Sequence, residues 1–188
     1  GSIGAIEQAA HQVAINLASI TYMMAGGISA AATIQSGNHF GSRKFLQLQI
    51  SAVSSYHISL LFMSFTALMF IFLNAYLPYF YTNDLRVISI ASGLLIIAAV
   101  FQLFDGAQVV GLGILRGIGD VNIPTMITFV AYWILGLPLG YYLAFSQDLG
   151  IYGIWAGLTL GLFTSSVLLF IRFYKHTKSL NLLKENKG

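Results

Sequence analysis

The sequence contains very little charge. Lys, Arg, Asp and Glu make up 8% of the 188 residues, whereas 57% of the residues are hydrophobic, and the mean hydropathy is +0.79. Soluble domains carry about 25% charged residues, so this composition excludes an ordinary soluble protein. It predicts a chain that is embedded in a membrane.

Cysteine is absent, which excludes disulfides and thiolate metal sites and leaves the redox compartment open. His39, His57 and His176 show no metal-ligand spacing with any carboxylate, so we predict no metal centre. His11 stands near the start of the first apolar stretch, where an interfacial role is favoured over a catalytic one. The formal charge of +3 is small, and no nucleic-acid partner is expected.

Long stretches without charge predict five transmembrane helices, because about 20 apolar residues in a helix cross the bilayer core. These spans cover about residues 8–35, 48–73, 87–115, 123–145 and 150–173. We therefore expect an all-α membrane protein with a helical bundle at residues 1–178. A polar, mobile cytoplasmic tail is expected at residues 179–188.

Basic residues follow the first, third and fifth spans, and Arg86 alone stands on the opposite side. They are Arg43, Lys44, Arg116, Arg172, Lys175 and Lys178. By the positive-inside rule these ends are cytoplasmic, which places the C-terminus inside and Gly1 outside. An outside N-terminus followed by five spans fits a C-terminal piece whose earlier helices are missing.

Small residues predict where the helices pack most closely. Glycine recurs every four residues in the last two spans, at Gly136, Gly140, Gly153, Gly157 and Gly161. Glycine is common in membrane helices, but this spacing favours close backbone approach between neighbouring helices. Pro138 lies inside the fourth span, where it should kink the helix.

Asp105 is the one charged residue within the third predicted span. A carboxylate inside a bilayer is costly unless it is protonated or finds a cation, so it predicts a functional site. Asp105 lies too far from either end of the span to reach water easily. The alternative is a packing role, with the carboxylate bonded to a neighbouring helix.

Two polar stripes accompany this residue. Gln102, Asp105 and Gln108 lie three residues apart, so they share one face of the third span. A milder stripe on the first span consists of Gln12, Asn16, Ser19 and Met23. Polar stripes on two helices of a bundle predict a shared, water-accessible cavity lined by both. The amides could equally act as hydrogen-bonding contacts between helices.

The residues from Gln102 to Asp120, which read QLFDGAQVVGLGILRGIGD, resemble the multidrug and toxic compound extrusion (MATE) family. The resemblance continues at Pro124 and in the segment YWILGLPLGY, which begins at Tyr132. The segments AAHQVAIN in the first span and GIYGIWAG in the last are also similar to that family. The match is collinear over nearly the whole chain.

This resemblance implies a twelve-helix antiporter of two six-helix bundles in the plasma (inner) membrane. Such a protein exports small cationic or amphipathic organic compounds in exchange for Na⁺ or H⁺ and needs no other cofactor. The five spans would be helices eight to twelve, and the missing N-terminal half would complete the pathway. The family's intramembrane Asp of the tenth helix corresponds to Asp105, and its acidic partner on the seventh helix falls before Gly1. Phe101 stands where some members carry a Tyr, and its ring offers no oxygen to a cation.

One buried carboxylate suggests a mechanism in which H⁺, Na⁺ and a cationic substrate occupy Asp105 in turn, while two bundles rock to alternate access. Other classes stay open. A flippase for lipid-linked saccharides would share the architecture, and an isolated fragment could be inactive. Gly117-Ile-Gly-Asp120 resembles a signature of intramembrane aspartyl proteases, but those need two facing carboxylates. Asp105 and Asp120 lie roughly 22 Å apart along one helix, so we predict no enzyme.

Overall fold

The computed structural model describes residues 4–185, with side chains described for residues 4–180. Over this range the chain is all helical, and five helices are long and apolar enough to cross a membrane. We name them α1 (Ala5–Gly41), α2 (Phe45–Leu73), α3 (Leu85–Gly117), α4 (Asn122–Phe145) and α5 (Gly150–Glu185). A short 3₁₀ turn, Leu77–Phe80, lies between α2 and α3. The predicted fold class is confirmed.

The helices extend beyond the predicted spans at several ends. The largest difference is in α5, which was expected to end near residue 173 and instead continues through Glu185. Phe173 and Thr177 are fully buried, so packing against the bundle supports the helix beyond its apolar span. Residues 179–185 of the expected tail are therefore helical, and residues 186–188 lie outside the described part of the chain.

Helix α3 is the centre of the bundle, because it packs against α1, α2 and α5. Near the start of α3, Leu94, Leu95 and Ala98 are fully buried with Trp155 of α5 in one apolar cluster. Near its end, Val110, Ile114 and Leu115 are buried in a second cluster with Leu48 of α2 and Phe173 of α5. Asp105 therefore lies between two apolar clusters.

Small residues and hydroxyl groups hold α3 against α1. Ser29 donates to the carbonyl oxygen of Val109 (2.8 Å), and Thr33 donates to that of Gly113 (2.9 Å). At Gly117 a Cβ atom would fall 2.9 Å from the Cβ of Ser36, so glycine is required for this approach. Close contact with interhelical hydrogen bonds is how membrane helices associate without a hydrophobic driving force.

The glycine repeats bring α4 and α5 together, as the sequence predicts. A Cβ at Gly157 would overlap the backbone of Gly140, and one at Gly153 would lie 2.5 Å from the backbone nitrogen of Ala144. A Cβ at Gly161 would lie 3.2 Å from the Cα of Gly136. The two backbones touch along three helical turns, which leaves no space for side chains there.

Helix α4 is irregular immediately before Pro138, where the sequence predicts a distortion. It consists of an α-helix (Asn122–Val130), a π-helical segment (Ala131–Gly136) and a second α-helix (Leu137–Phe145). Proline has no N–H, and its ring collides with the carbonyl four residues earlier, so regular α-helical bonding cannot continue. The wider π turn accommodates the proline, and such segments are frequent at functional sites.

Candidate cation and substrate site

Asp105 lies in the middle of α3, about 18 Å along the helix axis from its C-terminal end. The side chain is partly buried. No hydrogen bond or ion pair to its carboxylate is formed by any of residues 4–180. A carboxylate that only fastened two helices together would have a donor on the neighbouring helix. Asp105 has none among residues 4–180.

The other described carboxylates occupy helix ends. Glu7 is in the first turn of α1, and Asp148 is in the turn between α4 and α5. Asp84 caps α3 and pairs with Arg86 at 3.1 Å. Asp120 lies in the turn after α3 and accepts two hydrogen bonds from Arg172 of α5. Arg172 therefore engages both Asp120 oxygens beyond the C-terminal end of α3, whereas Asp105 lies in the middle of that helix.

Gln108 and Tyr132 form a polar contact next to Asp105. The Tyr132 hydroxyl donates to Oε1 of Gln108 at 3.2 Å, and Gln108 is 6% exposed. Tyr132 also lies close enough to Asp105 and to Tyr22 of α1 to interact with them electrostatically. Tyr132 belongs to the π-helical segment of α4, and its hydroxyl bonds to Gln108, three residues after Asp105 in α3.

The sequence pattern does not identify Tyr132 or Tyr22 as site residues. One signal was present: Tyr132 lies six residues before Pro138, in the helix with the predicted distortion. Its partner Gln108 could not be identified by spacing, because the two residues belong to different helices.

Gln102 lies inside the bundle rather than on its open side. The residue is 1% exposed, and neither Oε1 nor Nε2 has a hydrogen-bond partner among the described residues. Ser59 and Tyr56 of α2 carry buried hydroxyl groups that likewise lack partners there. Ser59 is close to Gly106, one turn after Gln102, since a Cβ on this glycine would lie 2.9 Å from the Ser59 hydroxyl. Buried, unpaired polar atoms therefore line the α2–α3 contact beside Asp105.

The polar stripe of α1 lies on the surface of this bundle. Gln12, Asn16 and Ser19 are exposed, and Met23 is 74% exposed. Tyr22 of α1 lies within electrostatic range of Tyr132. No hydrogen bond joins the stripe to Asp105 in the described residues.

His11 and Phe101 meet at Trp155. The indole nitrogen of Trp155 donates to Nδ1 of His11 at 3.1 Å. The Phe101 ring packs edge-on against the indole, with 5.3 Å between the ring centroids. Both residues thus join α1, α3 and α5 one turn away from Asp105. Within the described residues there is no group of three or more His, Cys, Asp or Glu side chains that could hold a metal ion.

Comparison with known proteins identifies the group to which this helical chain belongs. The family description MatE matches residues 1–142, which is more than half of the sequence. The chain belongs to the MatE family. The MatE match covers α1 to α3 and most of α4, and so includes Asp105, Gln108 and Tyr132.

Several curated relatives are similar over most of this MatE chain. The multidrug resistance protein MdtK of Yersinia pseudotuberculosis is 37% identical over 174 residues, which cover 90% of this chain and 38% of the relative. MdtK of Proteus mirabilis is 35% identical over 176 residues, which cover 92% of this chain and 38% of the relative. The chain therefore spans less than half the length of these relatives.

Solved MATE structures share the fold. The eukaryotic MATE transporter AtDTX14 superposes with a TM-score of 0.85 at 20% identity, over 93% of this chain and 40% of that protein. A MATE family transporter of the MOP superfamily matches in its outward-facing conformation with a TM-score of 0.85 and 16% identity, over 92% of this chain and 39% of the other. An inward-facing conformation matches with a TM-score of 0.82 and 16% identity, over 89% of this chain and 39% of the other. The chain is thus an integral membrane protein with the fold of part of a MATE transporter.

Proposed function

We propose that this chain is the C-terminal portion of a secondary active efflux transporter. The complete protein would export small cationic or amphipathic organic compounds across the plasma membrane in exchange for Na⁺ or H⁺. The observation that carries the proposal is Asp105, a carboxylate deep in the central helix with no hydrogen bond or ion pair among residues 4–180. Family membership supports export as the activity.

Asp105 is the coupling group in this proposal. An ionised carboxylate inside a bilayer is costly unless a cation accompanies it, and the described bundle supplies no Lys or Arg partner. Three occupants satisfy it: a proton, a Na⁺ ion, or the cationic group of a substrate. Because one carboxylate holds one of these at a time, entry of the ion displaces the substrate, which couples the two fluxes.

Neighbouring oxygens complete the site. The Tyr132 hydroxyl is near Asp105, and its hydrogen bond to Gln108 holds it in place. Gln102 supplies a buried amide oxygen one turn before Asp105. An unpaired buried polar group costs about 1–3 kcal/mol. A water molecule or a cation that contacts the Gln102 amide in one state of the cycle would therefore stabilise that state.

The exposed stripe of α1 is the cavity wall that faces the other half of the transporter. Gln12, Asn16 and Met23 are exposed here, which suits a surface that lines a wet cavity between two bundles. The same five helices match both an outward-facing and an inward-facing transporter with TM-scores of 0.85 and 0.82. That similarity supports a bundle that keeps its fold while it rocks against its partner.

The C-terminus is cytoplasmic in this proposal. Basic residues stand at the ends of α1, α3 and α5, and Arg86 marks the opposite side. The positive-inside rule then places the Arg172–Asp120 ion pair at the cytoplasmic face.

Efflux of a fluorescent cationic dye from cells that express the full-length protein tests the proposal. Wild type and Asp105→Asn are compared under imposed Na⁺ gradients and under imposed H⁺ gradients. We expect gradient-dependent efflux in the wild type and its loss in Asp105→Asn, because the amide cannot exchange a proton or neutralise a cation. Asp148→Asn is the matched control, since Asp148 is exposed in a turn between helices and Asn tolerates its positive φ of 54°.

Membrane insertion is measured in parallel, by the amount of each variant that is purified folded from membranes. Normal gradient-dependent efflux by Asp105→Asn would refute the coupling role. Absence of efflux from the wild type, with normal insertion, would instead favour a lipid-linked or other substrate.

A further inference from the structure

A groove with basic side chains opens between α4 and α5 at the end that carries the Arg172–Asp120 ion pair. Its volume is about 420 Å³, and it is lined by Ile127, Leu168, Ile171, Arg172, Lys175 and His176. The transport proposal assigns no role to these residues. They lie near the C-terminal end of α3, away from the level of Asp105.

Arg172 is held in position on one side of this groove. Its Nε and Nη2 donate to the two carboxylate oxygens of Asp120, and the Arg172 side chain is 28% exposed. A guanidinium has five N–H donors, and this pair uses one on each of two nitrogens. The remaining donors are therefore presented at a fixed place, which suits an oxyanion.

Lys175 and His176 add two further basic groups one turn later in α5. Lys175 is exposed. Nδ1 of His176 is buried and has no hydrogen-bond partner among the described residues. Asp120 is the one acidic side chain in contact with these lining residues in the described chain, and Arg172 occupies both of its oxygens. The groove therefore favours a ligand with negative charge.

The other wall of the groove is apolar and lies deeper in the membrane span. Leu168 and Ile171 are 43% and 42% exposed, and Ile127 faces them from α4. Leu168 precedes Arg172 by one helical turn, so the basic groups lie above an apolar strip. A phospholipid has the same order of groups, with a headgroup at the interface and an acyl chain below it.

We propose that this groove binds one anionic phospholipid, with its phosphate at Arg172, Lys175 and His176 and an acyl chain along Leu168 and Ile171. Basic pockets between transmembrane helices on the cytoplasmic side recognise such headgroups. An inorganic phosphate ion would use the basic groups alone and leave the apolar wall uncovered. The inference adopts the cytoplasmic orientation proposed above and does not depend on what the protein transports.

Native mass spectrometry of the full-length protein tests this site. The protein in detergent is titrated with phosphatidylglycerol or with phosphatidylcholine of the same acyl chains. We expect one phosphatidylglycerol molecule to bind tightly and phosphatidylcholine to bind with lower affinity. Lys175→Gln should lower the phosphatidylglycerol affinity about fivefold, the effect of one basic residue at a membrane surface. His176→Gln should lower it as well.

Lys178→Gln is the matched control, because Lys178 is exposed on the same helix, carries the same charge and does not line the groove. It should leave the affinity within twofold of the wild type. Melting temperatures without added lipid check that each variant is folded, and Arg172 is left intact because its ion pair supports the bundle.

Three results would overturn the proposal. The first is equal affinity for the two lipids, and the second is an equal loss in Lys178→Gln and Lys175→Gln, which would indicate a diffuse surface charge. The third is complete displacement of the lipid by inorganic phosphate at an equal concentration, which would indicate a site for free anions. Efflux is not measured here, so failure of this proposal and failure of the transport proposal are distinguishable.

Discussion

Arg172 of α5 donates two hydrogen bonds to Asp120, which lies 52 residues earlier in the turn between α3 and α4. The Nη2 bond is 2.9 Å long, and the two side chains are 28% and 13% exposed. A paired arrangement of this kind fixes both distance and orientation. It therefore ties the start of α4 and the end of α3 to α5.

Asp120→Asn should destabilise the bundle, because it leaves the Arg172 charge partly buried and unpaired. The expected decrease in the free energy of unfolding lies between the roughly 0–1 kcal/mol contributed by an exposed ion pair and the roughly 3–5 kcal/mol lost when a fully buried pair is broken. The melting temperature of the detergent-purified protein measures it. The double exchange, Asp120→Arg with Arg172→Asp, should be more stable than the single changes Asp120→Arg and Arg172→Asp would give if their effects were added. A double variant no more stable than the sum of its single changes would argue against the pair.

Tyr132→Phe should weaken ion coupling without unfolding the protein. The change removes one hydroxyl and its bond to Gln108 while the ring remains in place. A single hydrogen bond contributes about 0.5–1.5 kcal/mol, so the ion concentration for half-maximal efflux should rise roughly two- to tenfold. Dye efflux measured against ion concentration gives this value.

Tyr142→Phe is the control for Tyr132→Phe, since Tyr142 lies on the same helix and is exposed, with its hydroxyl accepting from Gln147. It should transport like the wild type. An identical ion dependence in both variants would remove Tyr132 from the site.

Gly157→Ala should loosen the contact between α4 and α5. The added methyl group would overlap the backbone of Gly140, and backbone atoms cannot move aside as a flexible side chain can. Overpacking of this kind costs about 1–3 kcal/mol, which a lower melting temperature would show. Gly27→Ala in α1 is the matched control, because a Cβ there would meet no atom within 4 Å. Equal melting temperatures for the two variants would contradict the close approach.

The start of α3 should respond to acid. Hydrogen bonds from the side chain and then the backbone N–H of Arg86 hold the pKa of Asp84 below its usual value. Because the pKa of Asp84 is lower in the folded state than in the unfolded state, the ionised cap stabilises the start of α3 fully above the unfolded pKa of about 3.9. This stabilisation is lost as pH falls through the folded-state pKa. The protection of the first α3 amides against hydrogen exchange, measured relative to the unfolded chain at the same pH, should therefore fall below about pH 4.

Asp84→Asn separates charge from capping in that experiment. Asn is also a good N-cap residue, so the helix start should stay ordered at neutral pH. In this variant the hydrogen-exchange protection of the first α3 amides should show no acid transition. A transition of the same size in this variant would assign the acid response to another group.

The positions of the five helices could be predicted closely, because a bilayer requires about 20 consecutive apolar residues and charges collect between them. Predicted and observed ends differ by a few residues, except in α5. There, burial of Thr177 continues the helix past its apolar part. The glycine contacts of α4 and α5 could be predicted too, since a spacing of four residues places the glycines of each helix on one face of that helix.

Contacts between different helices could not be predicted in the same way. Tyr132 and Gln108 are 24 residues apart, Asp120 and Arg172 are 52 apart, and His11 and Trp155 are 144 apart. Each pair joins different helices or a helix and a turn. Spacing along the chain says which residues share a face of one helix, but not how each helix is rotated against its neighbours.

The sequence by itself determined the membrane class and the five spans, and it predicts a functional role for Asp105, because each follows from the cost of removing charge and backbone from water. Only the tertiary structure decided which groups surround that carboxylate. Close approach at small residues such as Gly113, Gly117 and Gly157 constrains the rotation of the helices that carry or contact them. That rotation places Tyr132 within electrostatic range of Asp105, buries Gln102 within the bundle and leaves the α1 stripe on an open face.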